Sequence, residues 1–441
     1  MAEDPNYDSD TSRENSIPDS GSMPTSPKGK IGPFTSLLIP NFRLLFAGSV
    51  LSYAIQWIQG VILSWLVYDL TGSGTILGTI NLVSSTASLC MLLAVGVLVD
   101  YFNRRKLMLI ETGCMFILTL ALGFILLSGH ANLAYLFVFA FLVGLLQTLD
   151  STVRQVLVFD LVPRSQTPGA IALIQTGWSL MRVLGPSIGG FLLLWFSAGG
   201  SFLVQAGIYA LIVITIIRMR LQEREKDVVR SSPLQNIQAG MGFLVREPVT
   251  RIFTMIGIII PILVIPIFIT LPPIYAVQIF GDESGKILGF LMASVGVGGI
   301  IGGIATTYLR RLEHWGRIQL ASLFLLSLAL IGFAFSSSLP VALVLLALSG
   351  LFEIIFLTAN QTLIQLSIPD KLRGRVTAVV NLTWILSPVG SLLAGAGADL
   401  LGGPKTITII LASVAAAIAV LIFLGSPTVR NYRLSQVITS N

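Results

Sequence analysis

Long apolar stretches recur along the whole chain and set the first limit on its fold. A helix needs about 18 or more predominantly apolar residues to cross the hydrocarbon core of a bilayer. Such stretches follow one another from about residue 44 to residue 424. Charged residues make up only 11% of the 441 residues, against about 25% in soluble domains. The chain cannot present an ordinary wetted surface, so we predict an all-α membrane protein.

Hydropathy predicts twelve spans, and the placement of cations predicts their orientation. Lys and Arg cluster in alternate connections, whereas the opposite connections hold only Lys286 and Lys405. The positive-inside rule then places both termini in the cytoplasm, with the protein in a plasma membrane, the inner membrane of a bacterium. The predicted spans are residues 44–67, 76–99, 107–128, 134–159, 171–196, 201–217, 249–275, 286–309, 317–336, 340–366, 376–398 and 406–424.

One long polar connection divides the chain into two halves. Residues 1–35 are too polar to bury a core and are expected to form a disordered cytoplasmic tail. We predict a six-helix bundle over 36–217, a cytoplasmic linker over 218–248 with a surface helix at 233–246, a second bundle over 249–425 and a tail over 426–441.

The two halves carry traces of an internal repeat. A shift of 206 residues superimposes Gly96 on Gly302, Arg104 on Arg310 and Trp178 on Trp384. Two six-helix bundles repeated in parallel are a transporter architecture, with a binding site between them near the bilayer midplane. We therefore predict two pseudo-symmetric bundles.

Several classes of site are not supported by the sequence. The two histidines and the two cysteines are isolated from one another, so they predict neither a metal cluster nor a disulfide framework. There is no Gly-rich phosphate loop, and we expect no cofactor. The net charge of +6 comes from cations in short loops and does not indicate nucleic-acid binding.

Three charged residues lie well inside predicted spans: Asp150, Arg182 and Glu353. A charge at a helix centre costs roughly 2.5–3.5 kcal/mol on insertion scales, so such residues are rarely idle. Asp150 and Arg182 lie at similar depth, and a static pair between them is one interpretation, with Arg154 as a second partner. The other interpretation is that Asp150 carries a proton during transport.

Glu353 has no cation obviously at its depth in the sequence. The interpretations that stay open are a neutral, hydrogen-bonded acid, a proton carrier, or an anchor for a cationic substrate. Around the predicted midplane lie further polar residues that we expect in a central cavity: Gln56, Gln59, Gln147, Asn360 and Asn381.

A motif between the second and third spans carries a family resemblance. The segment "GVLVDYFNRRK" (residues 96–106) resembles the signature loop G-x-L-x-D-R-x-G-R-[RK] of the major facilitator superfamily. Gly96, Asp100, Arg104 and Arg105 match, whereas Tyr101 stands where the family usually has Arg. The phrases "DLVP" and "PDKLRGRVTAV" resemble the branch of enterobactin exporters and macrolide efflux proteins.

The resemblance implies a cytoplasmic gate built from Gly96, Asp100, Arg104, Arg105 and Arg375. Asp100 would face the N-terminal end of the eleventh helix near Arg375 and hold the cytoplasmic side shut. Small residues such as Gly96 let neighbouring membrane helices approach closely. Thr306 occupies the equivalent position of the second half. The latch is therefore expected on one side only.

Small residues also mark the fifth and eighth spans. The segment "RVLGPSIGG" resembles the end of a fifth-helix motif of antiporters in that superfamily, with Gly185, Pro186, Gly189 and Gly190 matching. The pairs Gly298/Gly302 and Gly299/Gly303 offer the same four-residue spacing in the eighth span. Close helix packing explains these glycines, and the resemblance adds that the two halves meet along these faces.

These features predict a secondary active transporter, in particular a proton-coupled exporter of small amphipathic molecules such as a drug, a macrolide or a siderophore. An importer or uniporter of a small metabolite is the alternative. A membrane-embedded enzyme is not supported, because the sequence contains no nucleophile or acid-base constellation. A non-transporting scaffold is not supported either, because the sequence adds no large polar domain to the two bundles. The expected partners are a small-molecule substrate, protons and the lipid bilayer, and we expect a monomer.

Overall fold

The computed structural model describes residues 34–163, 165–219, 233–309, 312–369 and 372–432, and regular structure in these ranges is helical. The two predicted tails lie largely outside these ranges, and the side chain of Asp100 also lies outside the described part. We number the membrane-crossing helices α1 to α12 in chain order.

The first half contains six of these helices. The first four are separate elements, and the fifth and sixth follow within one continuous stretch, Thr167–Arg218. The bounds are α1 Pro40–Thr71, α2 Gly74–Tyr101, α3 Arg104–Leu127, α4 Leu133–Leu161, α5 167–196 and α6 198–218.

The stretch Thr167–Arg218 reverses direction at Ser197. Its 52 residues are too many for one crossing, and Ser197 has non-helical backbone angles (φ 58°, ψ 177°). After this break Gly199 packs against Leu127 at the end of α3, and Thr215 packs against Gly48 near the start of α1. Eleven continuous helices in the described ranges are long and apolar enough to cross a membrane, and this reversal makes twelve crossings.

The second half repeats the arrangement after the linker helix, which is the predicted surface helix and spans Pro233–Arg246. Gly240 of the linker helix packs against the backbone of Arg375. The remaining bounds are α7 Pro248–Gln278, α8 Lys286–Leu309, α9 Trp315–Phe335, α10 Leu339–Leu366, α11 Arg373–Leu382 and, after a 3₁₀ turn, Ser387–Leu400, and α12 Pro404–Gly425.

Prolines interrupt α7, as its sequence predicts. A π-helical turn covers Ile260–Val264, and short α-helical pieces follow at Ile265–Ile269 and Leu271–Gln278. Each interruption begins near a proline, which lacks the N–H group that a continuous helix needs. This irregular segment faces the centre of the molecule and lines the cavity described below.

The two halves meet at the membrane face opposite the linker helix, which we call the far face; the other is the linker face. There Gly190 of α5 lies against Gly289 of α8, and Gly74 of α2 lies against Gly395 of α11. A Cβ atom added to Gly395 would lie 1.9 Å from the carbonyl oxygen of Gly74. Only glycine permits this approach, so the far ends of the halves are in direct backbone contact.

The glycines singled out from the sequence mainly pack within their own half. Gly185 and Gly189 lie against α1, with a Cβ at Gly185 only 2.5 Å from the Cβ of Trp57. Gly298 and Gly302 lie against the backbone of α10. The expectation that the halves meet along these glycine faces is therefore wrong for these four residues. It holds for Gly190, which lies against Gly289, and for Gly299, which lies against Val183.

Candidate functional site: a cavity between the halves

A cavity of about 430 Å³ opens between the two halves at the middle of the molecule. Residues from α1, α2 and α5 line one side, and residues from α7, α8, α10 and α11 line the other. The wall is largely apolar with a few polar groups, which is the usual chemistry of a small-molecule site. Pro186 and Asn81 lie in the wall of the first half, and Phe268 and Met292 in that of the second.

An ion pair crosses this cavity from one half to the other. The guanidinium of Arg182 on α5 donates to the carboxylate of Glu353 on α10. Both side chains line the cavity, with 12% and 6% of their surfaces exposed. The expectation that Glu353 has no cation at its depth is wrong, and so is the pairing of Asp150 with Arg182. Depth along a helix does not reveal which neighbour the side chain faces.

Three tryptophans surround the ion pair. Trp57 and Trp178 meet edge to face with ring centroids 6.1 Å apart, and the guanidinium of Arg182 lies 5.7 Å from the ring centre of Trp384. A cation above an indole face is stabilised by the ring quadrupole. Trp178 and Trp384 were matched by the internal repeat, so pseudo-equivalent residues of both halves reach the same cavity.

Two polar atoms in the cavity wall have no hydrogen-bond partner among the described residues. They are the indole nitrogen Nε1 of Trp57 and the amide nitrogen Nδ2 of Asn81. Both are donors, and a buried donor without a partner is costly.

Asp150 lies inside the first bundle and pairs with a residue of its own helix. Its Oδ1 accepts from Arg154 Nε at 2.6 Å, and its Oδ2 accepts from the hydroxyl of Ser52 at 2.8 Å. Arg154 is only 2% exposed and its other nitrogen approaches the hydroxyl of Ser49 at 3.5 Å. The pair therefore joins α4 to α1. Arg154, the second partner considered from the sequence, is the one that the fold selects.

Glu111 of α3 is a buried acid that the sequence analysis missed. It is 2% exposed, accepts from the hydroxyl of Thr112 at 3.0 Å, and shares a pocket of about 30 Å³ with Asp150. Tyr53 and Tyr209 also line this pocket. Glu111 lies four residues into its predicted span and so looks interfacial in sequence. Only the packing of α1, α4 and α6 around it shows that it is enclosed.

The remaining polar candidates occupy different environments. Gln56 lines the main cavity and donates to Gln147 at 3.3 Å, and both also border the small pocket near Asp150. Gln59 is buried outside the main cavity. Asn360 accepts from Gln319 at 2.7 Å within the second bundle, and Asn381 is exposed. The prediction that all these residues line the central cavity is wrong for Gln59, Asn360 and Asn381, and Gln147 lines only the small pocket.

Of the expected cytoplasmic gate, the structure describes the side chains of Arg104, Arg105 and Arg375, and it shows no contact among these three. Arg104 pairs with Asp160 of α4, and Arg105 donates to the backbone carbonyls of residues 216 and 217 at the end of α6. Arg375 is exposed. A Cβ at Gly96 would meet nothing within 4 Å, so the close helix approach expected there is wrong for this conformation.

Relatives of known function are similar to this chain over most of its length. The staphyloferrin A transporter of Staphylococcus aureus is 26% identical over 83% of this chain and 92% of its own length. The multidrug efflux pump Tap of Mycolicibacterium fortuitum is 26% identical over 85% and 91% of the two chains. The enterobactin exporter EntS of Shigella boydii is 25% identical over 89% and 94%.

Solved structures share the fold. A bacterial homologue of the human lysosomal transporter Spinster superimposes with a TM-score of 0.69, covering 89% of this chain and 98% of its own, at 14% identity. The family described as "Transmembrane secretion effector" matches residues 31–438. The resemblance to the major facilitator superfamily is thereby confirmed. The chain belongs to the transmembrane secretion effectors, a transporter family within that superfamily.

Proposed function

We propose that this protein is a proton-coupled exporter in a bacterial inner membrane that moves small amphipathic molecules outward by alternating access. The observation that carries the proposal is the Arg182–Glu353 ion pair, which joins the two halves inside a central cavity. A group that connects both halves at the binding site can link the occupancy of that site to their relative movement. The cationic connections on the linker face support a cytoplasmic position for that face and for both termini.

The cavity supports a substrate with both apolar surface and oxygen acceptors. Trp57, Trp178 and Trp384 provide large flat apolar surfaces, and Gln56, Ser84 and Ser85 provide hydrogen-bonding groups in the same wall. A volume of about 430 Å³ suits a ligand of drug size. The relatives include a staphyloferrin A transporter, an enterobactin exporter and a multidrug efflux pump. We propose the same broad class here.

Proton coupling rests on acids that are enclosed in the membrane. Protonation of Glu353 would remove its charge and release Arg182 from the ion pair. Asp150 and Glu111 share a small pocket with one guanidinium nearby, so a proton on one carboxyl relieves their mutual repulsion. We propose that these acids bind and release the coupled proton, and that the monomer contains all the groups required.

Proteoliposomes with an internal pH indicator provide the test. Enterobactin, staphyloferrin A and ethidium are added in turn, and proton movement is recorded with the transport of each probe. We expect at least one probe to drive proton movement in the unaltered protein. Glu353→Gln and Asp150→Asn are expected to reduce that coupled movement at least tenfold.

The matched control is Glu283→Gln, which removes an exposed acid in the loop before α8. This control is expected to behave as the unaltered protein. If Glu353→Gln and Asp150→Asn both transport and couple normally, the proposed coupling role is wrong. If none of the probes moves or drives protons in the unaltered protein, the proposed substrate class is wrong.

A further inference from the structure

An acid from α11 caps the start of α2 at the far face. The carboxylate of Asp399 accepts from the backbone N–H groups of Gly74 and Thr75, both at 2.8 Å. It also accepts from the hydroxyls of Ser73 and Thr75, both at 2.7 Å. The first N–H groups of a helix have no partner within the helix, and a carboxylate there also interacts favourably with the helix dipole. This cap comes from the opposite half of the molecule.

The cap lies where the two halves touch most closely. Gly74 faces Gly395, and a Cβ added to Gly78 would lie 2.6 Å from the Cα atom of Leu392. The contacts that the structure gives between α2 and α11 thus involve residues 73–78 and 391–399. Asp399 adds four hydrogen bonds to this backbone contact, so the far end of the cavity is held closed there.

The opposite ends of the same two helices are apart. A Cβ at Gly96 of α2 or at Gly374 of α11 would meet nothing within 4 Å, and Val97 is 58% exposed. This conformation therefore has its far side closed and the helix pair separated at the linker face. The gate contact expected at the linker face belongs to a different conformation.

The positions of two acids in α2 and α11 are equivalent. Asp100 is the last residue but one of α2, and Asp399 is the last residue but one of α11. Each helix thus ends with an acid on the membrane face where the other helix begins. Rigid helices that close at one face separate at the other as the halves rock, so the two contacts cannot both form in one state.

We propose that Asp399 is an extracytoplasmic latch, the counterpart of the cytoplasmic latch expected at Asp100. It stabilises the state in which the far side is closed, and it releases the N-terminus of α2 when the cavity opens to the outside. The proposal differs from the expectation of a latch on one side only. The internal repeat relates α2 to α8 and therefore places Thr306 opposite Asp100. The second acid, Asp399, lies on α11 instead. The inference rests on the alternating access proposed above.

The test measures distances across the far face in the full chain reconstituted in lipid nanodiscs. Spin labels are placed at His130→Cys and Glu283→Cys, exposed loop positions in opposite halves, after Cys90→Ser and Cys114→Ser. We expect Asp399→Asn to raise the ratio of long to short distances about tenfold. Thr75→Val, which removes one hydroxyl donor, is expected to raise it about twofold to threefold.

A second acid provides a matched control. Asp282 caps the start of α8 by accepting from the N–H groups of Ser284 at 3.0 Å and Leu288 at 2.9 Å, but all three residues belong to the same half. Asp282→Asn removes a helix cap without removing a contact between halves, so the distance ratio should stay at the unaltered value. If Asp399→Asn and Thr75→Val also leave the ratio unchanged, the latch is refuted.

The reciprocal variant tests whether the two contacts exclude each other. Asp100→Asn is expected to lower the ratio, and the combination of Asp100→Asn with Asp399→Asn to return it towards the unaltered value. A rise with Asp100→Asn would contradict the reciprocal arrangement. The distance measurement requires neither added substrate nor a proton gradient. A failure of the proposed export therefore appears as missing substrate-driven proton movement, and a failure of the latch as an unchanged distance ratio.

Discussion

The interiors of the two halves use different polar chemistry at corresponding places. Between α3 and α4 the first half encloses Glu111, Asp150 and Arg154, a charged cluster outside the main cavity. Between α9 and α10 the second half encloses Gln319 and Asn360, a neutral pair joined at 2.7 Å. These helix pairs are equivalent in the internal repeat. At corresponding places, one bundle thus contains ionisable side chains, whereas the other is joined by an uncharged hydrogen bond.

The difference has a physical cost that the protein must offset. A buried ion pair stabilises the fold only if its geometry offsets the cost of removing both charges from water. Losing one partner leaves an uncompensated charge. Arg154 meets this demand with the carboxylate of Asp150 and the hydroxyl of Ser49, while the hydroxyl of Ser52 donates to Asp150. A neutral amide pair has a smaller desolvation penalty, and its hydrogen bond contributes less stabilisation. The charged half should therefore be the more sensitive to substitution.

The largest expected effect comes from removing the cation of the charged cluster. Arg154→Met leaves Asp150 buried without its partner, and we expect the free energy of unfolding in detergent micelles to fall by about 3–5 kcal/mol. Arg246→Met, at an exposed position of the linker helix, should change it by less than about 0.5 kcal/mol. The double variant Asp150→Leu with Arg154→Met should recover most of the loss. A double variant as unstable as Arg154→Met would contradict the assignment to the lost ion pair.

The next effect comes from placing a charge between α9 and α10 of the second half. Gln319→Glu places an acid in a fully buried position whose described hydrogen-bond partner is the neutral Asn360. We expect a loss of about 2–3 kcal/mol in unfolding free energy, because no cation among the described residues is shown to pair with this position. The control is Glu313→Gln in the exposed loop before α9, which makes the reverse exchange of an acid for an amide. Tolerance of Gln319→Glu would show that the second half accepts charge as readily as the first.

A smaller effect is expected from breaking the neutral pair itself. Asn360→Leu leaves Gln319 without the acceptor that it now binds. Hydrogen bonds between membrane helices contribute about 0.6 kcal/mol on average and up to about 1.7 kcal/mol. The unfolding free energy should therefore fall by about 1 kcal/mol, with the coupled proton movement in proteoliposomes retained. A loss of coupling with normal stability would assign a transport role to the second half as well.

The smallest effect on stability is expected at Glu111. Glu111→Gln keeps the shape of the side chain and removes its ability to ionise, so the unfolding free energy should change by about 0.5 kcal/mol or less. If Glu111 shares the coupled proton with Asp150, substrate-driven proton movement should fall although the protein remains folded. Unchanged proton movement would limit the internal proton site to Asp150.

The architecture was accessible from the sequence because the bilayer imposes strict requirements. Each crossing needs a long apolar stretch, and cations mark the connections on one face, so hydropathy and charge suffice for twelve spans. The described helices begin and end within a few residues of the predicted bounds; α8, for example, covers Lys286–Leu309 as predicted. The reversal at Ser197 also falls between the predicted fifth and sixth spans.

The partners of the buried charges were accessible only in part. Asp150, Arg182 and Glu353 stand out because lipid is a poor solvent for ions, yet the sequence suggested the wrong partner for two of them. The position of a residue along its helix determines its depth, whereas the direction of its side chain depends on how the helices are rotated and packed. Arg182 and Glu353 are 171 residues apart and belong to different halves.

The chain's sequence by itself determined the membrane fold, the division into two bundles and the short set of charged residues worth attention, because burying a charge or a peptide group in lipid carries a large and local penalty. Only the tertiary structure decided that Arg182 binds Glu353, that Glu111 is enclosed with Asp150, and that Asp399 caps α2. These contacts join helices that are distant in the chain. Their formation depends on the packing of whole helices against one another, which no local pattern of residues specifies.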